Sequence, residues 1–405
     1  MIGDVLFEPG EIGGLVIPNR LVRAGTSESM AERDGQVTDQ LVKLYEELAR
    51  HQTGLIITGH LYCHERGKYA FGQTGIHTKE MMAGLLRLTT AVHAHGGLVF
   101  AQLAHAGSQT RVPGNRPVAP SPVPNPLTGA MVGEATREDI EEVISAFAAA
   151  ARRAVEVGFD GIHIHGANGY LITEFTSPVT NRRDDEWGGS AVKRDQFPLA
   201  ILGAVREAVP AGYPITMKVG FVDAVTGGLA LDESLRRTRL LVEAGLDGVE
   251  VSCGLMEAPS DSAATYVGVS GGTALRDWLP HRVLASPQRE AYFRPWAEAL
   301  RAAVDTTIIL VGGIRTTLTM RDLLQSRAAD FIAMARPLIR EPDLVRQLAD
   351  GREGIVACTS CNLCLIHEGH HTLRCWRTPR RRLLEHAIYR VMGGFRGTGV
   401  LPTSE

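Results

Sequence analysis

Short apolar segments alternate along this chain with longer amphipathic segments. The short segments are rich in Val, Ile and Leu, as in FDGIHI and LDGVEV, whereas the longer ones have helical spacing. This alternation is typical of βαβ units that form a parallel sheet. Eight segments are predicted to be strands, near residues 21–26, 54–59, 98–104, 160–165, 214–220, 247–252, 307–312 and 330–334. Eight such units over about 330 residues favour a closed (β/α)8 TIM barrel over an open doubly wound sheet, within the α/β class.

The pattern changes after the eighth predicted strand. Beyond residue 345 the chain is first rich in cysteine and histidine and then basic, with Arg380, Arg381 and Arg382 in a row. We therefore expect a barrel over residues 1–345 and a short C-terminal cysteine-rich extension over 346–405. The basic segment 380–392 has few apolar positions, which favours a solvated helix packed on the barrel over a membrane-surface helix.

Composition excludes several classes of protein. The chain has 405 residues, of which 44% are hydrophobic and 21% charged, as in soluble globular proteins. A formal net charge of −3 gives no reason to expect nucleic acid or an anionic membrane as a partner. No apolar run reaches the roughly 18 residues of a membrane helix, and Asp4 and Glu8 stand where a signal peptide has basic residues. We expect a cytoplasmic location, and an oligomer is compatible with the sequence.

Polar residues follow the fourth predicted strand. Ile162 and Ile164 alternate with two histidines, and His165, Asn168 and Tyr170 lie within six residues. In a barrel, the carboxyl ends of the strands carry the chemistry. The imidazole, the amide and the phenol are suited to holding a carbonyl oxygen and delivering a proton.

Four of the six cysteines lie close together near the carboxyl end of the chain. Cys358, Cys361, Cys364 and Cys375 have the spacing C-x2-C-x2-C-x10-C, which indicates metal or redox use in a reducing compartment. Three thiolates at two-residue gaps fit an iron–sulfur cluster. A zinc site, with help from the nearby histidines, and a site without metal are the alternatives.

Two long strings resemble the old yellow enzyme family of FMN-dependent oxidoreductases. These strings are HGANGYLITEF and SPVTNRRDDEWGGS, and further family-like segments include PNRLVRAGTS, VFAQLAHAG, LVGGI and FIAMARPLI. The segment CTSCNLC is similar to the cluster segment of the 2,4-dienoyl-CoA reductase and trimethylamine dehydrogenase branch. Proteins of that branch continue into domains that bind FAD and a nicotinamide. Because 30 residues follow Cys375 here, we expect this chain to lack those domains.

The resemblance implies FMN as cofactor and NAD(P)H as reductant. By position, Gln102 and Lys218 match residues that contact the flavin pyrimidine, and Lys218 replaces the usual Arg, which keeps the charge but not the planar fork. Ser27 stands where relatives have Thr or Cys. The remaining cofactor-binding residues implied by the resemblance are Ala24, Gly25, Thr26 and Gly59 along the flavin, with Gly312, Gly313, Ala335 and Arg336 at its phosphate.

The same resemblance implies a reaction. His165 and Asn168 match the pair that holds the substrate's carbonyl oxygen, and Tyr170 matches the proton donor. We therefore expect reduction of an activated C=C bond in an α,β-unsaturated carbonyl, enoyl or dienoyl substrate, with the four clustered cysteines holding a [4Fe–4S] cluster. One alternative is a flavin and iron–sulfur electron-transfer component of a larger dehydrogenase assembly, served by a separate electron-donor protein. A cofactor-free aldolase or isomerase barrel is less favoured.

Two long loops are predicted to cover the cofactor. The Pro-rich segment 112–127 and the Gly-rich segment 254–273 would leave the carboxyl ends of the third and sixth strands. Plain surface excursions are the alternative for both.

Overall fold

The computed structural model of the chain describes residues 3–125, 129–255 and 290–394. Eight parallel strands pair in chain order, and β8 returns to pair with β1 through Ile332 opposite Leu21. The strands are β1 Leu21–Arg23, β2 Leu55–Ile57, β3 Val99–Ala104, β4 Gly161–Gly166, β5 Ile215–Gly220, β6 Gly248–Ser252, β7 Thr307–Leu310 and β8 Phe331–Met334. Each coincides with a predicted strand, and the predicted (β/α)8 barrel is confirmed.

Helices surround the barrel in the order that the sequence pattern predicts. They are α1 Asp39–Arg50, α2 Met82–His93, α3 Arg137–Glu156, α4 Gln196–Ala208, α5 Leu231–Glu243, α6 Arg294–Ala303, α7 Thr317–Gln325, α8 Arg336–Arg340 and α9 Leu344–Ala349. A reciprocal capping box starts α3, because Asp139 N donates to Thr136 Oγ1 at 3.1 Å and Thr136 N donates to Asp139 Oδ2 at 2.9 Å. Two short helices, Leu171–Thr176 and Ala191–Arg194, precede α4.

The strands present different chemistry to the two sides of the barrel wall. Ile162 and Ile164 belong to the apolar cluster between the strands and the helices, whereas His163 and His165 face inward. A second apolar cluster fills the amino-terminal part of the interior and includes Phe100 and Phe331. Ile12 and Ile17 join it from the hairpin Gly10–Ile12 and Leu15–Ile17, so this hairpin closes the amino-terminal end. The opposite end is left for a site.

The extension packs on the loops at the carboxyl ends of the strands. Leu373 N donates to Glu28 O at 2.7 Å, and Arg111 donates to Glu368 O at 3.5 Å. The extension contains the helices Leu363–Ile366 and Arg381–Val391, the second of which matches the predicted basic helix. The predicted boundary at residue 345 falls within α9. Across the described residues, we find no helix with the length and apolar character needed to cross a bilayer.

Candidate active site

A cavity of about 300 Å³ lies at the carboxyl ends of the barrel strands. Its wall combines residues that end or follow each of the eight strands, residues just before α6, and residues of the extension. The sequence-predicted residues in this wall are Ala24, Gly25, Thr26, Ser27, Gln102, His165, Asn168, Tyr170, Lys218, Gly312, Gly313, Ala335 and Arg336. The barrel therefore brings together side chains that are up to about 300 positions apart in the sequence.

His165, Asn168 and Tyr170 share one side of the cavity. The rings of His165 and Tyr170 lie edge to face with centroids 4.9 Å apart. Asn168 adopts a left-handed backbone conformation with φ of 60°, and its backbone N–H donates to the backbone oxygen of Cys253 at 3.0 Å. The backbone carbonyl oxygen of Asn168 accepts a hydrogen bond from Gln109 Nε2 at 3.0 Å. The turn after β4 is thereby held between two other barrel loops.

Burial sets the protonation states of this group. It lowers the pKa of His165 well below the usual range, and the nearby Lys218 lowers it further. Burial also raises the pKa of Tyr170 well above its usual value, with Tyr69 adding to the effect. A neutral imidazole and a protonated phenol are both hydrogen-bond donors near neutral pH. The group can therefore polarise a carbonyl and hold a transferable proton.

A buried ion pair links Lys218 of the cavity wall to Glu250 of β6. Lys218 Nζ donates to Glu250 Oε1, and Glu250 Oε2 lies 3.1 Å from His163 Nε2. Burial raises the pKa of the Glu250 carboxyl, but the charge of Lys218 and the contact with His163 outweigh it and lower that pKa to about 2. His163 is fully buried, and its Nδ1 lies 2.8 Å from Thr216 Oγ1. Sequence reasoning missed Glu250, which balances the predicted positive charge.

Gln102 and Gly25 fit the edge of a flat heterocycle. Gln102 Nε2 is buried and has no hydrogen-bond partner among the described residues. An added Cβ at Gly25 would lie 2.3 Å from that same nitrogen, so only glycine leaves room for the amide. A buried orphan donor normally marks a missing ligand or water. The arrangement fits the pyrimidine edge of FMN, which presents acceptors to such a donor.

The far end of the cavity fits a phosphate group. Gly312 and Gly313 follow β7 with φ of 120° and 73°, conformations that glycine adopts readily. Arg336 begins α8 and donates to Asn362 Oδ1 of the extension. Backbone amides of a glycine turn and one guanidinium are the groups that bind phosphate dianions. The cavity thus offers complementary groups for both ends of FMN.

Gly59 is the one predicted barrel site residue outside the cavity wall. Its N–H lies 3.0 Å from Glu28 Oε1 and 2.9 Å from Tyr45 Oη, and Arg23 pairs with the same carboxylate at 2.7 Å. An added Cβ would lie 1.9 Å from Glu28 Oε2. In the described structure Gly59 makes room for this buried network behind the first two strands.

Sequence reasoning also missed several residues of the wall. His60 and Tyr69 come from the segment after β2, Tyr292 from the segment before α6, and Glu368 and Leu373 from the extension. His60 is the one of these with a sequence signal, because it follows a strand end directly. The others lie far from any strand end in the sequence, and only the fold brings them to the site.

The four clustered cysteines line a second, smaller cavity of about 20 Å³. Within the described part of the chain, no three His, Cys, Asp or Glu side chains have the spacing of ligands to a single metal ion. Thiolates that bind one zinc ion lie within about 4 Å of each other. In an iron–sulfur cube each thiolate binds a different iron, so the thiolates need not lie that close together. Burial and the neighbouring cysteines raise the pKa of Cys364 to about 12, although Arg336 lowers it. Cys364 lines both cavities, so the two sites share a wall.

The profile of the NADH:flavin oxidoreductase / NADH oxidase family matches residues 5–354. The chain belongs to this family. It is 38% identical over 368 residues to an NADH oxidase of Thermoanaerobacter brockii, a match that covers 89% of this chain and 53% of that protein. The chain thus spans about half the length of this relative. It is also 34% identical to a 4,4'-dithiodibutanoate disulfide reductase of Rhodococcus erythropolis, over 89% of this chain and 92% of the relative.

Solved structures support the fold of this NADH:flavin oxidoreductase family member. A 2-naphthoyl-CoA reductase in complex with 2-naphthoyl-CoA superposes with a TM-score of 0.83 and 26% identity, covering 94% of this chain and 58% of that one. The likeness extends beyond the barrel, because a match over 94% of the chain includes most of the extension.

The two long loops have different outcomes. No described residue of the segment 112–127 lines the cavity; instead, its residues Ala119 and Val123 pack with Val132. Arg183 donates to Pro120 O at 2.9 Å and fixes it from the segment after β4. The expectation that this loop covers the cofactor is therefore not met by its described residues. Most of the loop 254–273 lies outside the described residues.

Proposed function

We propose that this chain is an FMN-dependent oxidoreductase that takes electrons from NADH or NADPH and reduces an activated C=C bond. The substrate would be an α,β-unsaturated carbonyl or an enoyl or dienoyl compound. One observation carries the proposal: His165, Asn168 and Tyr170 share a cavity with an orphan amide at Gln102 and a glycine–arginine phosphate end. Membership of the flavin oxidoreductase family supports it.

FMN would be held by Gln102 and Lys218 at its pyrimidine, by the backbone at 24–27 along its length, and by Gly313 and Arg336 at its phosphate. When bound, it supplies the hydride that the substrate accepts. The pairing of Lys218 with Glu250 keeps the ammonium in place while reducing its net positive charge. Both residues are buried, and the low dielectric around them strengthens the electrostatic interaction between their charges.

The side chains then divide the work on the substrate. His165 and Asn168 donate hydrogen bonds to the substrate's carbonyl oxygen and stabilise the negative charge that develops there. Tyr170, kept protonated by burial, hands its proton to the α-carbon. Extension residues Leu365 and Leu373 line the same cavity, and their apolar side chains would limit the entry of water.

We further propose that the four clustered cysteines hold a [4Fe–4S] cluster. The shared wall at Cys364 supports electron exchange between that cluster and the flavin. The same observation favours a second candidate function, an electron-transfer component that receives electrons from a separate donor protein. In that case the NAD(P)H step occurs elsewhere.

The test starts with protein purified without oxygen. Its absorbance from 300 to 700 nm should show flavin, and the acid-released cofactor should be FMN. Addition of NADH or NADPH should bleach the flavin, and 2-cyclohexen-1-one should restore its colour. A cofactor that proves to be FAD, or a colourless protein after reconstitution, would reject the first proposal. A flavin that free NAD(P)H leaves oxidised, but that other reductants bleach, would favour the second candidate.

The oxidant panel should include compounds that relatives suggest. A CoA thioester of an unsaturated acid tests the likeness to the 2-naphthoyl-CoA reductase. 4,4'-Dithiodibutanoate tests the likeness to the disulfide reductase. Faster reoxidation by the disulfide than by every alkene would replace the C=C assignment with disulfide reduction.

A further inference from the structure

Glu250 is a fully buried carboxylate that lies directly behind a residue of the cavity wall. It belongs to β6, opposite Lys218 of β5, and its Oε1 accepts a hydrogen bond from Lys218 Nζ. Lys218 lines the cavity, whereas Glu250 does not. The carboxylate can therefore act on a bound ligand through its charge, but not by contact.

The charges of this buried group sum to zero. Burial by itself would raise the pKa of Glu250, but Lys218 and His163 lower it to about 2, so the carboxylate is charged near pH 7. His163 Nε2 lies 3.1 Å from the second carboxylate oxygen. Burial lowers the pKa of His163, although Glu250 raises it, so the imidazole is neutral. One ammonium, one carboxylate and one neutral ring remain.

The other charged side chains of the wall lie elsewhere in the cavity. Among the described residues they are Arg315, Arg336 and Glu368. The two arginines follow β7 and β8, where we propose that the FMN phosphate binds, and Glu368 belongs to the extension. Lys218 is thus the charged group of the wall at the proposed pyrimidine end, and Glu250 is paired with it.

The charge at this end matters because FMN changes its own charge on reduction. Hydride transfer from NAD(P)H moves two electrons and one proton to FMN and leaves NAD(P)+, so reduced FMN carries one more negative charge than oxidised FMN. A cation beside the pyrimidine favours the reduced form, and an anion behind that cation opposes it. Charges near the flavin ring are among the groups by which a protein tunes the cofactor.

We propose that Glu250 lowers the midpoint potential of bound FMN by offsetting the charge of Lys218, so that reduced FMN gives up its hydride more readily. The inference rests on the proposed function, because it assumes FMN with its pyrimidine at Lys218. Glu250 is not a catalytic residue in this account, since it contacts neither FMN nor the substrate.

The experiment measures the midpoint potential of the FMN holoenzyme by slow reduction without oxygen in the presence of a reference dye. Glu250→Gln keeps the size of the side chain and removes its charge. The equilibrium constant for flavin reduction should rise roughly 10-fold, which is about 30 mV for a two-electron couple. Glu250→Asp, which keeps the charge, should stay closer to the parent potential.

A second pair of variants fixes the charge at position 218, because a buried lysine without its partner can lose its proton. Arginine stays protonated, so Lys218→Arg and Lys218→Arg/Glu250→Gln differ by the carboxylate charge alone. The second variant should have the higher potential, again by roughly 10-fold in the equilibrium constant. If Glu250 only held the cation in place, its removal would lower the potential or leave it unchanged. No rise in this pair overturns the proposal.

The controls separate the remaining outcomes. Glu243→Gln removes an exposed carboxylate at the end of α5 and should keep the parent potential. If the variants with Gln at position 250 alone do not fold, Lys218→Gln/Glu250→Gln leaves no buried charge and replaces them. Its equilibrium constant should lie within roughly 3-fold of the parent value, because two opposite charges are removed together. A larger fall would show that Lys218 acts unopposed and would overturn the proposal.

Failure of this inference is distinguishable from failure of the proposed function. A parent protein that binds no FMN after reconstitution refutes the proposed function. A parent protein that binds FMN, with variants that show none of these shifts, refutes only the role of Glu250.

Discussion

Burial changes the protonation behaviour of His165, Tyr170 and Glu250 in ways that their residue types do not reveal. The imidazole and the phenol are both held in their neutral, donating forms, whereas Glu250 remains charged because Lys218 and His163 face it. His165, Lys218 and Glu250 lie side by side on neighbouring strands, and Tyr170 follows in the turn after β4. Buried charges interact strongly where water is excluded. The chemistry at this scale depends on neighbours from three different strands.

The three side chains proposed to contact the substrate should have separable effects. His165→Ala and Asn168→Ala each remove one donor to the carbonyl oxygen, and each should slow reoxidation by an enone roughly 10²-fold. Tyr170→Phe should leave the binding of phenol-like ligands unchanged and slow turnover of substrates that need a proton at the α-carbon. Stopped-flow kinetics of the two half-reactions measure these effects. Parent rates in all three variants would show that the chemistry lies elsewhere.

Glu250 should contribute to the acid sensitivity of the fold. Its pKa is about 2 in the folded protein against a usual 4.5, so its stabilising contribution is complete above pH 4.5 and is lost as the pH falls towards 2. The difference corresponds to about 3 kcal/mol of unfolding free energy. In Glu250→Gln the unfolding free energy should fall less steeply over this range, and at pH 7 it should be lower because Lys218 is left buried without its partner.

Urea unfolding at a series of pH values measures both effects. Glu243→Gln, at an exposed position at the end of α5, is the matched control and should follow the parent curve. An acid limb in Glu250→Gln that is as steep as in the parent would contradict the ion-pair account.

At the scale of elements, the turns after β7 and β8 build the end of the cavity where we propose that the FMN phosphate binds. The first turn supplies two glycines with positive φ, and the second starts α8 with Arg336. Arg336 also contacts Asn362 and the cysteine cavity, so α8 lies between the two sites. Arg340, near the end of the same helix, lines the cysteine cavity but not the larger one.

This arrangement supplies a matched pair of variants. Arg336→Ala should raise the Kd for FMN roughly 10- to 100-fold, the range for losing a hydrogen bond to a charged group. Arg340→Ala removes a guanidinium from the same helix and should leave the Kd close to the parent value. Fluorescence titration of the flavin-free protein with FMN gives both constants. An equal loss in the two variants would mean that α8 acts through its fold and not through a phosphate contact.

At the scale of the whole molecule, the extension completes the site. Glu368 and Leu373 form part of the cavity wall, and the cysteines gather beside it around Arg336. The extension is attached to the segment after β1 by a backbone hydrogen bond from Leu373 N to Glu28 O, and to the segment after β3 by the Arg111 side chain, which donates to Glu368 O. Loss of order in the extension would therefore open the cavity without disturbing the closed sheet.

Cys361→Ser should separate the two cofactors. Removal of one corner ligand should abolish about four irons per chain after anaerobic reconstitution, while FMN should stay bound because the contacts proposed for it come from strand ends and the turns that follow them. Iron and flavin analyses on the same sample measure this. Cys63→Ala, in the apolar cluster of the barrel, is the control and should keep its iron. Zinc in place of iron in the parent protein would defeat the cluster proposal and leave the roles of His165, Asn168 and Tyr170 untouched.

The sequence by itself determined the architecture and most of the wall of the site. The period of apolar residues locates all eight strands, because buried parallel strands need continuous apolar segments and helices need a different spacing. His165, Asn168, Tyr170 and the glycine pair were also predictable, since they follow strand ends and match the motif of the family. Gly59 stays a prediction, and the described structure shows it against Glu28 instead.

The tertiary structure alone decided which distant residues meet. Glu250 sits in a strand that reads as apolar, and its pairing with Lys218 depends on the register between β5 and β6. The orientation of His60 depends on Gln73 and Tyr69, which lie in an irregular loop without a periodic pattern. Glu368 reaches the cavity because the extension folds back over the barrel. Local sequence patterns report which face of an element is buried, but partners across the barrel are set by closure of the sheet and by packing.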